Sequence, residues 1–206
     1  MSVHWETVQG YIPPLLAASG LALVTAYILK RAAVPGKEDE IQRPNIEQID
    51  EKKIAVNFHF TRQCNYNCGF CFHTAKTSHV ESEENCKKIL RSLRDAGFRK
   101  INFAGGEPFL EPKLLGALCK YAKIDCRFES VSIISNGSKC QESWFEKFSD
   151  FVDILGVSCD SFNEEVNVQI GRGKGNHLKA VKNVADWCRK YKIQFKLNTV
   201  VNSFNV

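Results

Sequence analysis

The sequence predicts an α/β fold in which a parallel sheet curls into a partial barrel with helices on its outside. Two observations carry this. From residue 54 onward, short β-rich runs alternate with helical patterns, which is the pattern of parallel strands joined by crossover helices. The polar and glycine-rich segments fall after the strands, on the one rim where barrels of this kind gather their chemistry. The chain has 206 residues and its domain opens near residue 54, well short of the roughly 250 residues of an eight-fold barrel, so the barrel is partial.

The first strand is read at residues 54–60, where Val56, Phe58 and Phe60 alternate with Ala55, Asn57 and His59. A helix over 83–96 follows, with Cys86, Ile89, Leu90 and Leu93 at helical spacing and Gly97 as its stop. The second strand spans 100–103 and its helix 113–122. The third strand spans 130–135, with a helix near 144–148. The fourth spans 154–158, its helix 177–191, and the fifth strand 194–201. The segments behind these strands are residues 63–72, Gly105-Gly106-Glu107-Pro108, Asn136-Gly137, Ser158-Cys159-Asp160 with Gly171-Arg172-Gly173 beyond it, and the region of Asn198 and Asn202.

Ahead of the domain, residues 12–29 are apolar except for Pro13, Pro14, Ser19, Gly20 and Thr25, and Lys30-Arg31 follow. A secretory signal carries its positive charge before the apolar run, so residues 1–35 are read instead as a membrane-associated helix with the rest of the chain on the cytosolic side. A buried core helix is the competing reading. Residues 36–53, rich in Glu, Asp and Lys, form a charged linker, and 54–206 form the domain. Hydrophobic residues at 44% and charged residues at 25% suit a globular protein. The net charge of +5 is spread among acids, so direct nucleic-acid binding is not expected.

Nine cysteines are present, and three of them, Cys64, Cys68 and Cys71, sit within eight residues. That is ligand spacing, and it implies a reducing compartment. A cubane iron–sulfur cluster usually takes four cysteines, so three leave one iron open to a further ligand. Zinc is the alternative. It would need a fourth donor, for which His73 is available. Cys86, Cys119 and Cys188 fall on apolar helical positions and read as core, Cys159 as structural, and Cys126 and Cys140 as either packed or exposed. In Gly105-Gly106-Glu107-Pro108, glycines permit close backbone approach to a ligand and Glu107 can shape the loop or accept hydrogen bonds. Ser158 and Arg172 suit a ribose hydroxyl and a carboxylate, with ordinary loop solvation as the alternative. Gly171-x-Gly173-x-Gly175 lacks the preceding strand and the spacing of a dinucleotide fingerprint.

With Phe70 just before the last cysteine, the three-cysteine loop resembles the signature of the radical S-adenosylmethionine superfamily. The resemblance implies a partial (β/α)6-type barrel with five strands in this chain and a 4Fe–4S cluster on Cys64, Cys68 and Cys71. It implies S-adenosylmethionine chelating the open iron through its amino and carboxylate groups, and one-electron cleavage of its sulfonium to methionine and a 5′-deoxyadenosyl radical. It also implies that Phe70, Gly105, Gly106, Glu107, Ser135, Ser158 and Arg172 hold this cofactor.

Residues 57–66, 71–77, 135–138, 158–162 and 164–168 closely resemble the viperin family within that superfamily. That resemblance implies conversion of CTP to 3′-deoxy-3′,4′-didehydro-CTP in antiviral innate defence, at the cytosolic face of the endoplasmic reticulum membrane and on lipid droplets. It implies as partners the cytosolic iron–sulfur assembly factors and an electron donor. A triphosphate needs cations and donors inside the barrel. Asn57 and His59, Lys100 and Asn102, and Lys196 and Asn198 are polar residues two apart on strands one, two and five, so each pair shares a face. An interior polar set of this kind suits an anionic, hydrogen-bonding ligand, or else it lines a wet barrel. The cytidine base rests on the resemblance alone. Ala104 stands where vertebrate members have Ser, and a sixth strand, a closing extension and a terminal tryptophan of the family are expected beyond Val206, which makes the chain read as a fragment. Two other readings stay open: a membrane-tethered interaction protein with a catalytically silent barrel, and radical chemistry on a peptide or nucleoside.

Overall fold

The computed structural model describes residues 55–73 and 77–206. The expected membrane-associated helix at 1–35 and the linker at 36–53 lie outside the described residues. Among the described residues no helix is long and apolar enough to cross a membrane.

Five strands form one sheet, all parallel, in the order β1 to β5: β1 Ala55–Thr61, β2 Lys100–Gly105, β3 Ser130–Ser135, β4 Ile154–Ser158 and β5 Gln194–Asn198. Sequential order with one helical crossover per step makes every strand end with the same polarity, so the loops that follow the strands share a rim. The crossovers hold α1 Glu83–Asp95, α2 Pro112–Ile124, α3 Glu142–Phe148, α4 Glu164–Gln169 and α5 His177–Lys190. Single 3-10 turns at Pro108–Leu110 and Ser149–Phe151 complete the connections.

Alternation along the strands sorts the residues between two faces. Phe60, Ile101, Phe103, Val131, Ile133, Leu155 and Val157 are buried against Cys86 and Leu90 of α1, Leu115, Leu118, Cys119 and Ala122 of α2, Trp144 and Phe145 of α3, and Val184 and Cys188 of α5. The helical cysteines are therefore core, as their spacing predicts, and Cys126 is packed with them. The opposite face carries the polar alternates. In register across it lie Asn57, Asn102 and Ser132, where Asn102 Nδ2 donates to Asn57 Oδ1 at 2.8 Å and Ser132 Oγ to Asn102 Oδ1 at 3.0 Å.

Helix starts follow their capping residues. Ser82 Oγ accepts from Asn85 N at 3.2 Å, with Glu83 and Glu84 in the first turn of α1 beside the positive end of the dipole. Pro112 opens α2, where a missing N–H costs nothing. The short α4 is absent from the sequence reading. Its six residues fall below the length at which periodicity is legible, although Asn163 Oδ1 caps it by accepting from Glu165 N at 2.8 Å.

β5 is shorter than expected, ending at Asn198 rather than at 201. Past Asn198 the chain leaves the ladder for the loop behind β4: Thr199 Oγ1 donates to Cys159 O at 2.7 Å and Val200 N to Asp160 Oδ1 at 2.9 Å. Side-chain acceptors there outcompete strand continuation, and the β-branched run Thr199-Val200-Val201 alone gives no sign of it.

Phe103, fully buried between Phe58 and Phe60 at centroid distances of 6.1 and 6.3 Å, centres this packing. Phe103→Ala is expected to cost about 3–5 kcal/mol, read as a lowered urea midpoint at unchanged m-value.

Candidate cofactor site

The site begins with glycines that let two backbones touch. Gly106 N donates to Thr61 O at 3.1 Å and Glu107 N to Gln63 O at 2.7 Å, which docks the end of β2 on the start of the cysteine loop. A Cβ on Gly106 would lie 1.8 Å from Gln63 O. Gly105 has φ +127°, and its Cβ would lie 2.5 Å from Thr61 O. The pair is thus required by the contact between loops before any ligand is considered. On its other side the cysteine loop rests on the turn after α4, with Asn67 N donating to Gly171 O at 3.3 Å and Gly69 N to Ile170 O at 3.2 Å. Gly171, at φ +80°, has no room for a Cβ, which would lie 2.2 Å from Asn67 O.

Glu107 is fully buried and braces three segments. Its Oε1 accepts from Phe109 N at 3.0 Å and Ser135 Oγ at 2.7 Å, and its Oε2 from Asn136 N at 2.6 Å. Burial pushes its carboxyl above the usual glutamate range, and these donors pull it back. Ser135 is committed to the same brace, because its hydroxyl donates to Glu107 and accepts from Gly137 N at 2.9 Å. Asn136 extends it to the cysteine loop, its Nδ2 donating to Asn65 Oδ1 at 3.0 Å.

These loops enclose a cavity. Cys64, Cys68, Cys71 and Phe70 line it together with Gly105, Gly106, Glu107, Ser135, Ser158 and Arg172, so every residue expected to hold the cluster or its cofactor faces one space. Of the residues expected to bind substrate, Asn198 lines the cavity as well. The remaining five lie elsewhere on the inner sheet face. Asn57 and Asn102 share the rung described above, and Lys100 is one rung further from the rim, level with Ala55 and Ser130. His59 lies level with Ala104 and near His73, ring centroids 5.8 Å apart, and Lys196 is level with Gly156. Burial first, then the neighbouring His73 and Arg62, lowers the pKa of His59.

The three cysteines suit a cluster. They line one wall, and Cys64 and Cys71 are near enough to raise the Cys68 pKa, which burial raises most and Arg172 lowers. Among the described residues no three His, Cys, Asp or Glu side chains converge on a single-ion point. A mononuclear zinc site needs such convergence, whereas a four-iron cube takes each thiolate on a different iron. Cys64, Cys68 and Cys71 would hold that cube, in the cavity that the glycine loop and Arg172 also line.

Two features escape the sequence reading, and a third, His73, enters it only as a possible zinc donor. Asp160 is buried and accepts from Arg172 Nε at 2.7 Å, while Arg172 lies 5.5 Å over the Phe70 ring. His177, the first residue of α5, is a buried strut: its Nε2 donates to Ser158 O at 2.8 Å, leaving Nδ1 to accept from the Tyr66 hydroxyl at 3.4 Å. His73 Nε2 is buried in the cavity wall with no hydrogen-bond partner among the described residues. A buried acid pairs with a base, so Asp160, twelve residues before Arg172, could have been sought as its partner. Nothing in the local sequence points to His177 and Tyr66, which meet across 111 positions.

The family model described as Radical SAM superfamily matches residues 58–203. The chain is 56% identical, over 219 aligned positions, to the S-adenosylmethionine-dependent nucleotide dehydratase RSAD2 of Danio rerio, an alignment covering all of this chain and 60% of the relative. It is 53% identical to the RSAD2 of Oncorhynchus mykiss, covering 78% of this chain and 47% of the relative. The S-adenosylmethionine-dependent nucleotide dehydratase of a Thermoplasmatales archaeon is 38% identical, over 76% of this chain and 56% of the relative. The chain thus spans about half to three fifths of the length of these curated relatives. Among solved structures, anSMEcpe with bound AdoMet has the same fold at a TM-score of 0.58 and 22% identity, covering 72% of this chain and 43% of that one.

Two expectations follow from the geometry. Gly106→Ala forces its new methyl into Gln63 and is expected to cost about 1–3 kcal/mol while lowering the iron bound after reconstitution, with helix content by circular dichroism retained. His177, whose pKa burial lowers from 6.5, takes up its proton less readily in the fold than in the unfolded chain. Its contribution to stability is therefore full above the unfolded value of 6.5 and is lost as pH falls below it. Urea midpoints of the metal-free protein at about pH 7.5 and about pH 5.5 are expected to differ less in His177→Gln than in the parent.

Proposed function

The chain belongs to the radical S-adenosylmethionine superfamily, whose cofactors are a 4Fe–4S cluster and S-adenosylmethionine, and from that premise we propose that it forms the catalytic barrel of a nucleotide dehydratase acting on CTP. The observation that carries the reading is the stacking of two sites along one sheet. The cluster cysteines, the glycine loop and Arg172 share a cavity at the strand ends, and the inner face beneath it presents Asn57, Asn102, Ser132, His59 and Lys196. The names of relatives at 38–56% identity, nucleotide dehydratases all, support the substrate class.

When bound, the cluster and S-adenosylmethionine supply an electron and a carbon-centred radical able to take the ribose 4′ hydrogen. The protein's own part is binding and orientation. The backbone of Gly105 and Gly106 would receive the methionyl ammonium, and the Arg172 guanidinium its carboxylate. Phe70 offers an apolar surface and Ser158 a hydroxyl for the adenosine. Lys100 and Lys196 supply positive charge for a triphosphate, with Asn57, Asn102 and Asn198 as donors. Loss of the 3′ hydroxyl as water then takes one proton and one further electron, leaving the 3′,4′ double bond of 3′-deoxy-3′,4′-didehydro-CTP.

In this reading cytosolic iron–sulfur assembly factors deliver the cluster and a separate donor supplies electrons, because each turnover consumes two. The product acts in antiviral defence. Residues 1–35 attach the protein to the cytosolic face of the endoplasmic reticulum membrane and to lipid droplets, a reading supported by the apolar run at 12–29 and the Lys30-Arg31 pair behind it.

Full-length protein reconstituted anaerobically is expected to bind about four irons per chain. Given S-adenosylmethionine and a reductant, it is expected to form 5′-deoxyadenosine, more of it with CTP than with UTP, ATP or a peptide pool. A loaded sample that makes no deoxyadenosine sinks the enzyme reading. Equal stimulation by another nucleotide or by peptide sinks the CTP assignment.

A further inference from the structure

Arg172 is held in an unusual way for a surface-loop arginine. Its side chain is 10% exposed, and its backbone N donates to Asn167 O at 2.7 Å. The guanidinium lies over Phe70, and its Nε donates to Asp160 Oδ2 at 2.7 Å. No other hydrogen bond of the guanidinium forms among the described residues. A guanidinium carries five N–H donors in a planar fork. One is committed to Asp160, and the terminal nitrogens have no acceptor among the described residues, in a residue that lines the cavity. Half-used donors on a nearly buried cation are costly unless an acceptor arrives, and a planar carboxylate matches the fork.

The partner acid is more enclosed than the base. The Asp160 side chain is fully buried, and its second oxygen, Oδ1, accepts from Val200 N at 2.9 Å. Its backbone carbonyl accepts from Asn205 Nδ2 at 2.7 Å. Val200, which the first of these bonds holds, lines the same cavity as Arg172. One carboxylate therefore joins the cavity's cation to a stretch of its wall contributed by the chain behind β5. A buried ion pair is by itself weak evidence of anything beyond packing. The unused donors on one member, and the wall attached to the other, are what separate this pair from a purely structural one.

We propose that Asp160 is a positioning residue for the sulfonium cofactor: it fixes the Arg172 guanidinium by Nε so that the terminal nitrogens meet the methionyl carboxylate, and it ties that orientation to the cavity wall at Val200. The inference rests on the reading of Arg172 as the carboxylate ligand, and the test separates the two. In the cluster-reconstituted full chain, the S-adenosylmethionine dissociation constant is measured by equilibrium dialysis for the parent, Asp160→Asn, Arg172→Gln and the double variant. Asn keeps an oxygen for Val200 N but removes the charge facing Nε. Asp160→Asn is expected to weaken binding about ten-fold or more, the order set by losing a hydrogen bond to a charged group, with iron content unchanged. In the Arg172→Gln background the same change is expected to add less than about two-fold, because there is no guanidinium left to orient.

An unchanged dissociation constant in Asp160→Asn overturns the proposal, as does the same fold-loss in both backgrounds, which a merely structural acid would give. An unchanged constant in Arg172→Gln overturns instead the assignment of Arg172 on which the proposal rests. Should Asp160→Asn fail to hold its cluster, Asp160→Glu keeps the charge and displaces it by one methylene. Weakened binding at full iron content is then the expected result, and parent-like binding the one that overturns it.

Discussion

Two backbone hydrogen bonds, Gly106 to Thr61 and Glu107 to Gln63, join the end of β2 to the start of the cysteine loop, and the rest of the site is arranged around that junction. They form because neither glycine places a carbon where the neighbouring carbonyl lies. Once the two loops touch, Glu107 can only turn inward, and there it meets the end of β3 through Ser135 and Asn136. Asn136 in turn reaches back to Asn65 in the cysteine loop. The loop is thereby held to two strand ends on one side and to Ile170 and Gly171 on the other. A loop with no secondary structure of its own becomes a fixed wall, which is what three thiolates sharing one cluster require.

The two buried carboxylates at this rim do different work because their partners differ. Glu107 accepts from two backbone amides and a hydroxyl, all neutral, so burial raises its pKa and its value to the protein is geometric. Asp160 faces a cation directly and a backbone amide with its other oxygen. It fixes a direction for the one Arg or Lys side chain among the described residues that line the cavity. The ionic brace is sensitive to which nitrogen of Arg172 it holds.

How much of this the sequence discloses depends on range. Alternation in β1 and helical spacing in α1 reveal each element to within a residue or two, because burial on one face is a local property of the chain. The cysteine spacing and Gly105-Gly106-Glu107-Pro108 are likewise local, and all the residues expected around the cofactor do face one cavity. What is illegible is the reason for several of them. Gly106 reads as room for a ligand, yet its missing Cβ is filled by Gln63 O; Ser135 reads as a cofactor contact, yet its hydroxyl is committed to Glu107. The end of β5 and the strut from Tyr66 through His177 to Ser158 are set by partners 40 and 111 positions away, where no periodicity reaches.

The shape of the inner sheet face follows from which side chains are small. One rung in from the rim, His59, Ala104, Ile134, Gly156 and Lys196 stand level across the five strands. The two larger polar groups are on the outer strands and the small residues are on β2 and β4, but Ile134 on the central strand reaches over Gly156, so the rung is polar at its flanks and recessed over Ala104, between His59 and Ile134. A Cβ on Gly156 would lie 2.7 Å from Ile134 Cδ1 and 3.1 Å from Asn198 Nδ2, so enlarging it would push both side chains aside. Ala104 and Ile134 open onto the cofactor cavity, and the Asn57, Asn102 and Ser132 rung lies directly below. A molecule occupying that recess would meet hydrogen-bonding groups at its base, His59 on one side, the apolar Ile134 on the other and the cofactor cavity at its top. That arrangement holds one part of a substrate by polar contacts while presenting a different part to the reactive group, and it needs no moving element of the sheet to do so.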